Sequence, residues 1–282
     1  VTMRILRSPW MRGPASVPEG RLVVAVGDPH GMSAHMEALL DAVLADVADD
    51  KRAADIVYLG DYGDYGDRGR DLRGVIDLAM RPAPELDLTE TALMGNHDSW
   101  LVALINDRIG EEAVGLWLGN GGLATLEGLG VELGPDLEGV ADLAARVRAA
   151  LGQARLDWLN GLRLSARIGG YLFVHAGVDP ATPLARQGED EFLWIRQPFL
   201  EPTAWIHDGL AVIHGHTPGS AEVTNHRVGT DTGCFKSGVL TAAVLDGDRV
   251  RYVCAAGDTE NRAWSPKRLP AEVRAADDIP AA

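Results

Sequence analysis

The sequence predicts an α/β fold built around a parallel sheet. Three observations predict it. Short β-branched apolar runs alternate with stretches of helical period. In the first half their order is strand, helix, strand, helix, strand, which requires parallel pairing with helices packed on the sheet faces. Each apolar run also ends in a glycine-flanked group of Asp, Asn or His, at the edge where open α/β sheets bind ligands.

Taken in order, residues 1–20 are rich in Pro, Arg and Gly and read as a flexible arm. Leu22–Val26 is the first buried strand. Ser33–Ala48 follows with helical spacing, Ser33 being its expected N-cap. Asp55–Leu59 is the second strand, Asp71–Met80 a short helix, and Thr91–Met94 a third, shorter strand. Leu101–Leu118 reads as one helix, stopped by Asn120-Gly121-Gly122. Asp136–Leu162 holds one or two amphipathic helices. Later, Tyr171–Val174 and Ala211–Ile213 are strands, and Val239–Leu245 with Arg249–Cys254 form a hairpin around Asp246-Gly247-Asp248. Residues 21–256 thus read as one domain, and 257–282, polar and Pro-rich, as a loosely ordered tail.

Composition narrows the function. The 282 residues carry a formal net charge of −15, with pI about 4.9. That surface repels nucleic acid, since phosphate-backbone binding needs an excess of Lys and Arg. Bound cations can still dominate a local field, so phosphate chemistry is not excluded. Two cysteines, Cys234 and Cys254, make no disulfide framework and read as packing residues of a reducing compartment. No apolar run reaches membrane-spanning length, and the N-terminal segment lacks an apolar signal core. The expectation is a cytoplasmic protein without membrane or nucleic-acid partners.

The chemistry starts at Gly27-Asp28-Pro29-His30-Gly31. Residues two apart on extended backbone point the same way, so Asp28 and His30 emerge together at a strand end. A hard oxygen beside an imidazole begins a divalent metal site. One such pair could be a solvated turn, but the pattern recurs. The second strand ends in Gly60-Asp61-Tyr62-Gly63-Asp64-Tyr65-Gly66-Asp67-Arg68-Gly69, and the third in Gly95-Asn96-His97-Asp98. Val174-His175-Ala176-Gly177 and His214-Gly215-His216-Thr217-Pro218 come later.

Together these motifs resemble those of the calcineurin-like metallophosphoesterases, most closely the serine/threonine phosphoprotein-phosphatase branch in its bacterial and phage form. Trp117-Leu118-Gly119-Asn120-Gly121-Gly122, Leu193-Trp194-Ile195-Arg196 and Asp231-Thr232-Gly233 support the resemblance, which covers about residues 20–255. It implies a β-sandwich built from βαβαβ units with flanking helices, α+β by some schemes, and two divalent metal ions at the strand ends. Manganese is the expected metal, with iron or zinc as alternatives. By the same resemblance Asp28 and His30 hold the first ion. Asn96, His175 and His216 hold the second, and a carboxylate from the second motif bridges both. A hydroxide between the ions would attack phosphorus, His97 would act as general acid, and Asp67 would orient His97. Arg68 and Arg196 would clamp phosphate, although an ordinary ion pair is an equal reading for Arg196.

The bridging carboxylate has two readings. The family pattern Gly-Asp-x-x-Asp-Arg-Gly fits residues 63–69 and favours Asp64. The strand followed directly by Gly-Asp favours Asp61, with the extra residues of a Gly-Asp-Tyr repeat looping out; Asp61 is preferred. His97 should point away from its neighbour Asn96 if the backbone there is extended. His214 reads as a supporting or core histidine and His35 as a surface one, while His207 and His226 receive no role. Asp98 reads equally as a supporting group or a solvated carboxylate, Trp100 and Trp117 as core aromatics, and Asn120 as a helix stop. The expected function is hydrolysis of phosphomonoesters, with phosphoserine or phosphothreonine proteins as substrates. A symmetrical dinucleoside tetraphosphate hydrolase is the first alternative. A metal-binding interaction module with weak turnover is the second. Oligomeric state is left open.

Overall fold

The structure is a computed structural model describing residues 3–65, 71–201, 209–219 and 221–257. Asp67, Arg68, His207 and the tail from 258 onward lie outside the described residues. The first half of the chain supplies β1 (Arg4–Arg7), β2 (Met11–Arg12), β3 (Arg21–Val26), α1 (Ser33–Asp50), β4 (Ala53–Tyr58), α2 (Leu72–Ala79), β5 (Leu88–Ala92), α3 (Asn96–Ile105) and α4 (Glu111–Trp117). The second half supplies α5 (Leu123–Leu129), α6 (Val140–Leu151), α7 (Gln153–Asn160), β6 (Ser165–Ile168), β7 (Tyr171–Val174), α8 (Glu189–Trp194), β8 (Ala211–His214), β9 (Glu222–Val223), β10 (Arg227–Gly229), α9 (Cys234–Ser237), β11 (Val239–Asp246) and β12 (Arg249–Ala256).

Two sheets face each other. One runs β1-β12-β11-β3-β4-β5, with β2 also on β12; the other runs β6-β7-β8-β10-β9. The pairs β3–β4, β4–β5, β7–β8 and β8–β10 are parallel. The continuous apolar runs follow from burial on both faces. Leu22, Val24 and Val26 pack with the helices, while Val23 and Ala25 enter the core between the sheets. In the second sheet Tyr171, Phe173, Ile213 and Val228 meet them there, and Leu172, Val174 and Val212 face an outer layer with Phe199. Each fully buried aliphatic side chain contributes about 1.5–3 kcal/mol relative to exposure.

Several expectations need correction. The N-terminal stretch is not only an arm: β1 pairs antiparallel with β12, Leu6 opposite Cys254, and Leu6 joins the inter-sheet core. Ser33 begins α1 without capping it; the cap position is Met32. His35 is buried, its Nε2 against the Gly238 carbonyl at 3.1 Å. The third strand ends at Ala92, and Leu93 makes only a bridge to Arg163. The single helix expected from Leu101 to Leu118 is two. Asp107, in the left-handed region at φ 55°, turns the chain after α3. After α4 the chain runs on through a widened turn, Leu118–Gly122, into α5. Gly121 has φ 111° there, and a Cβ would come 2.6 Å from Tyr65 N, so only glycine lets this turn press on the second motif. The hairpin of β11 and β12 forms as expected, Asp246 opposite Arg249, and both cysteines are buried packing residues.

Candidate metal centre

The polar groups gather where the parallel strands end. Asp28 and His30 follow β3, Asp61 and Asp64 follow β4, His175 follows β7 and His216 follows β8. Asn96 and His97 are the first residues of α3, so their separation comes from helical rotation and not from extended backbone. Gly60 and Gly95 let the chain segments meet. A Cβ on Gly60 would overlap the Gly95 backbone, and one on Gly95 would overlap Asp61. His30, Asp61, Asp64, Tyr65 and His216 all have left-handed backbone, at φ 42°, 56°, 60°, 70° and 64°.

Two groups of possible ligands result: Asp28, His30 and Asp61, and Asp61, His175 and His216. Within each, the ligand atoms lie within 4.8 Å of one another, and all these residues are buried. Asp61 belongs to both. Its Oδ2 is 3.6 Å from His30 Nε2 and 3.4 Å from His175 Nε2. Asn96 Oδ1 accepts from His175 Nε2 at 2.9 Å and from His216 Nδ1 at 2.8 Å, so it joins the second group. Asp64, the alternative bridge, is in neither.

The electrostatics suit cations. Burial lowers His30 to about 4 and His216 to about 2, so both present neutral imidazoles at neutral pH. Burial, then the Asp231 charge, raises Asp28 well above the carboxylate range. For Asp61, burial acts upward, but the His175 and His97 rings outweigh it and hold it low. For His175, burial acts downward, and Asp61 overrides it to about 10. Among the described residues, two buried atoms here, Asp28 Oδ1 and His216 Nε2, have no hydrogen-bond partner. Among the described residues no Lys or Arg pairs with Asp28 or Asp61. A buried, unpaired carboxylate oxygen and imidazole nitrogen are what divalent metal ligands look like before loading, so the donor set fits.

Asp64 has a different setting. Its Oδ2 accepts from His97 Nδ1 at 3.0 Å and from Trp117 Nε1 at 2.8 Å, and its Oδ1 accepts from Thr125 Oγ1 at 2.6 Å. Asp64 thus stands beside His97 in the way expected of Asp67, which lies outside the described residues. For His97, burial acts downward, but the Asp61 charge and the Asp64 hydrogen bond together raise it above the ordinary value. Trp117 is fully buried, as expected, yet its N–H has this use, and Thr125 was not anticipated. The available signal was that a buried indole N–H needs an acceptor.

Asp98 is no solvated carboxylate. Its Oδ2 accepts from Asp61 N at 2.7 Å and Gly95 N at 2.8 Å, and its Oδ1 from Tyr62 N at 3.0 Å. Above the ligands lies a cleft of about 260 Å³, lined by Arg196, Lys236, Asn120 and four aromatics. Tyr65 stacks on Phe235 at 4.4 Å, and Trp100 meets Trp194 edge-on at 5.1 Å. Trp100 therefore packs against the helix-side core, as expected, and also walls the cleft. Asn120 combines its expected helix-end bond, Nδ2 to the Leu116 carbonyl, with a place in this lining.

Two facing sheets with carboxylate and imidazole groups at their strand ends define a class of metallohydrolases. The chain belongs to the calcineurin-like phosphoesterase family, whose sequence model matches residues 22–259. Metal-dependent phosphoester hydrolysis goes with that membership. Similar solved structures include one described as a candidate diadenosine tetraphosphatase, 24% identical, covering 87% of this chain and 100% of that one, TM-score 0.58. A cold-active protein tyrosine phosphatase is 16% identical over 84% of this chain and 78% of that one, TM-score 0.51. These likenesses speak for the fold. No curated protein matches the chain. Among the described residues, no helix is long and apolar enough to cross a membrane.

Proposed function

We propose that this chain is a two-metal phosphomonoesterase with phosphoserine or phosphothreonine in proteins as its substrate class. One observation carries the reading: Asp61 is shared by two buried ligand groups. Asp28, His30 and Asp61 would hold one ion, and Asp61, Asn96, His175 and His216 the other, manganese being the metal of first choice. When bound, such a pair supplies positive charge for the phosphoryl oxygens and makes water acidic enough to ionise near neutral pH. The chain's own residues do the rest. Arg196, in the cleft wall, orients a phosphate oxygen by charge-assisted hydrogen bonds. His97 keeps Nδ1 on Asp64, which leaves Nε2 to deliver a proton to the departing ester oxygen. Asp64, held by Trp117 and Thr125, fixes the ring's orientation and stabilises its charged form.

A second reading has its own observation. The indoles of Trp100 and Trp194 offer flat apolar surface at the cleft, suited to a nucleobase. One experiment separates the two. The manganese-loaded protein is assayed on p-nitrophenyl phosphate, a phosphothreonine peptide and diadenosine tetraphosphate, with bound metal counted. Turnover of the first two with two ions per chain is expected. Turnover of the dinucleotide alone would select the second reading, and no turnover at all would reduce the protein to a metal-binding module.

A further inference from the structure

A second polar cavity, of about 310 Å³, opens on the outer face of the second sheet, beyond the metal ligands. The strand register builds it. Gly229 pairs with His214 on one side and with Glu222 on the other, and Arg227 is two residues before Gly229. Arg227, His214 and Glu222 therefore project from the same face around a position that has no side chain. A Cβ on Gly229 would sit 3.4 Å from His214 Nε2 and occupy the floor of the hole.

The groups around this hole are buried and underused. Arg227 is only 5% exposed; its Nη2 donates to the Leu200 carbonyl at 3.1 Å and meets Glu222 at 2.8 Å. Among the described residues its Nε and Nη1 have no partner, nor do His214 Nε2 and Thr217 Oγ1. His214 Nδ1 lies 3.0 Å from the Gly215 carbonyl, which can only accept, so the ring hydrogen is on Nδ1 and Nε2 keeps a lone pair. Leaving this many buried polar atoms unpaired is costly.

We propose that this cavity binds a protonated oxyanion of the hydrogen phosphate type. The Arg227 N–H groups donate to its bare oxygens, and its O–H donates to His214 Nε2. Glu222 and Asp231 also border the cavity. They oppose a fully deprotonated anion such as sulfate, which brings no hydrogen to the acceptor side. The site stands independently of the catalytic reading above.

The probe is radiolabelled inorganic phosphate in equilibrium dialysis with the full-length, metal-loaded protein. One bound equivalent should survive chelation of the metals and resist an equal concentration of sulfate. Arg227→Gln should weaken that equivalent about tenfold or more. Gly229→Ala, which changes no charge and has no left-handed backbone to strain, should weaken it likewise. The proposal falls if chelation removes all bound phosphate, if both variants bind as the parent does, or if sulfate competes equally. It also falls if a phosphate-grown crystal shows ordered water only in the cavity. Absence of any chelation-sensitive equivalent would count against the metal centre and leave this site standing.

Discussion

At the scale of single residues, Asp61 and Asp64 have different surroundings three positions apart. Asp61→Asn should cut metal content below half, because both ligand groups lose the negative charge and second oxygen of their shared carboxylate; metal analysis of the purified variant checks it. Asp64→Asn should keep both ions and slow hydrolysis of alkyl phosphates by about 10²–10⁴-fold. It should affect p-nitrophenyl phosphate far less, since that leaving group needs little protonation. Metal loss in Asp64→Asn would refute the division. The candidate ligand set was legible, because each member directly follows a strand or opens a helix after one. The choice between Asp61 and Asp64 was only a preference, because the Gly-Asp-Tyr repeat presents the same local pattern twice. Nothing local marked Asp64 as a partner of His97. Its setting comes from Trp117 and Thr125, more than fifty residues away in the chain.

Among the elements, the loop after β4 and the start of α3 are clasped by Asp98, which accepts from three backbone N–H groups. Asp98→Asn would turn an N–H₂ toward donors. The expected cost is about 1–3 kcal/mol, a fall in Tm of about 2–10 °C, with metal affinity weakened about 10–100-fold. Calorimetry and metal titration read both, and the exposed Asp107→Asn serves as control. A variant with parental Tm and metal affinity would contradict the clasp. The βαβαβ order and the terminal hairpin were legible because they rest on local period and short connections. The strands β1 and β2 were not. Their pairing with β12 joins residues some 240 positions apart, and in sequence they are short and interrupted by Pro9 and Pro14.

Over the whole molecule, the buried centre sets how stability responds to pH. His175, at about 10, and Asp98, at about 7, have pKa values raised above their ordinary 6.5 and 3.8. Burial acts downward on His175 and Asp61 overrides it; for Asp98, burial acts upward and the Asp61 charge adds to it. The folded chain thus keeps a proton that the unfolded chain has lost on Asp98 from about pH 4 to 7 and on His175 from about pH 6.5 to 10, and through both windows this term lowers stability as pH rises. His30 and His216, depressed by burial, act oppositely: below pH 6.5 the unfolded chain takes their protons, and acid destabilises. The chelated protein should therefore have its highest Tm near pH 6–7 and lose stability toward pH 9. Metal-loaded protein should not show that alkaline fall, because the ligands release protons on binding. A chelated Tm that rises from pH 7 to pH 9 would contradict the assignment. The two-sided core of the central strands was legible as unbroken apolar runs, whereas the second sheet's outer cavity was not, since it exists only once β8, β9 and β10 lie in register.

The five non-glycine residues with positive φ at the centre lead further. Such backbone is uphill for side chains with a Cβ, and glycine would relieve it at every one of the five positions. Yet three of these residues, His30, Asp61 and His216, offer the atoms that would grip the cations. The centre is thus held open against the local preference of its own chain. Heat tolerance gained by relaxing these turns should come with loss of ion binding, so attempts to harden this protein are better directed away from the strand ends.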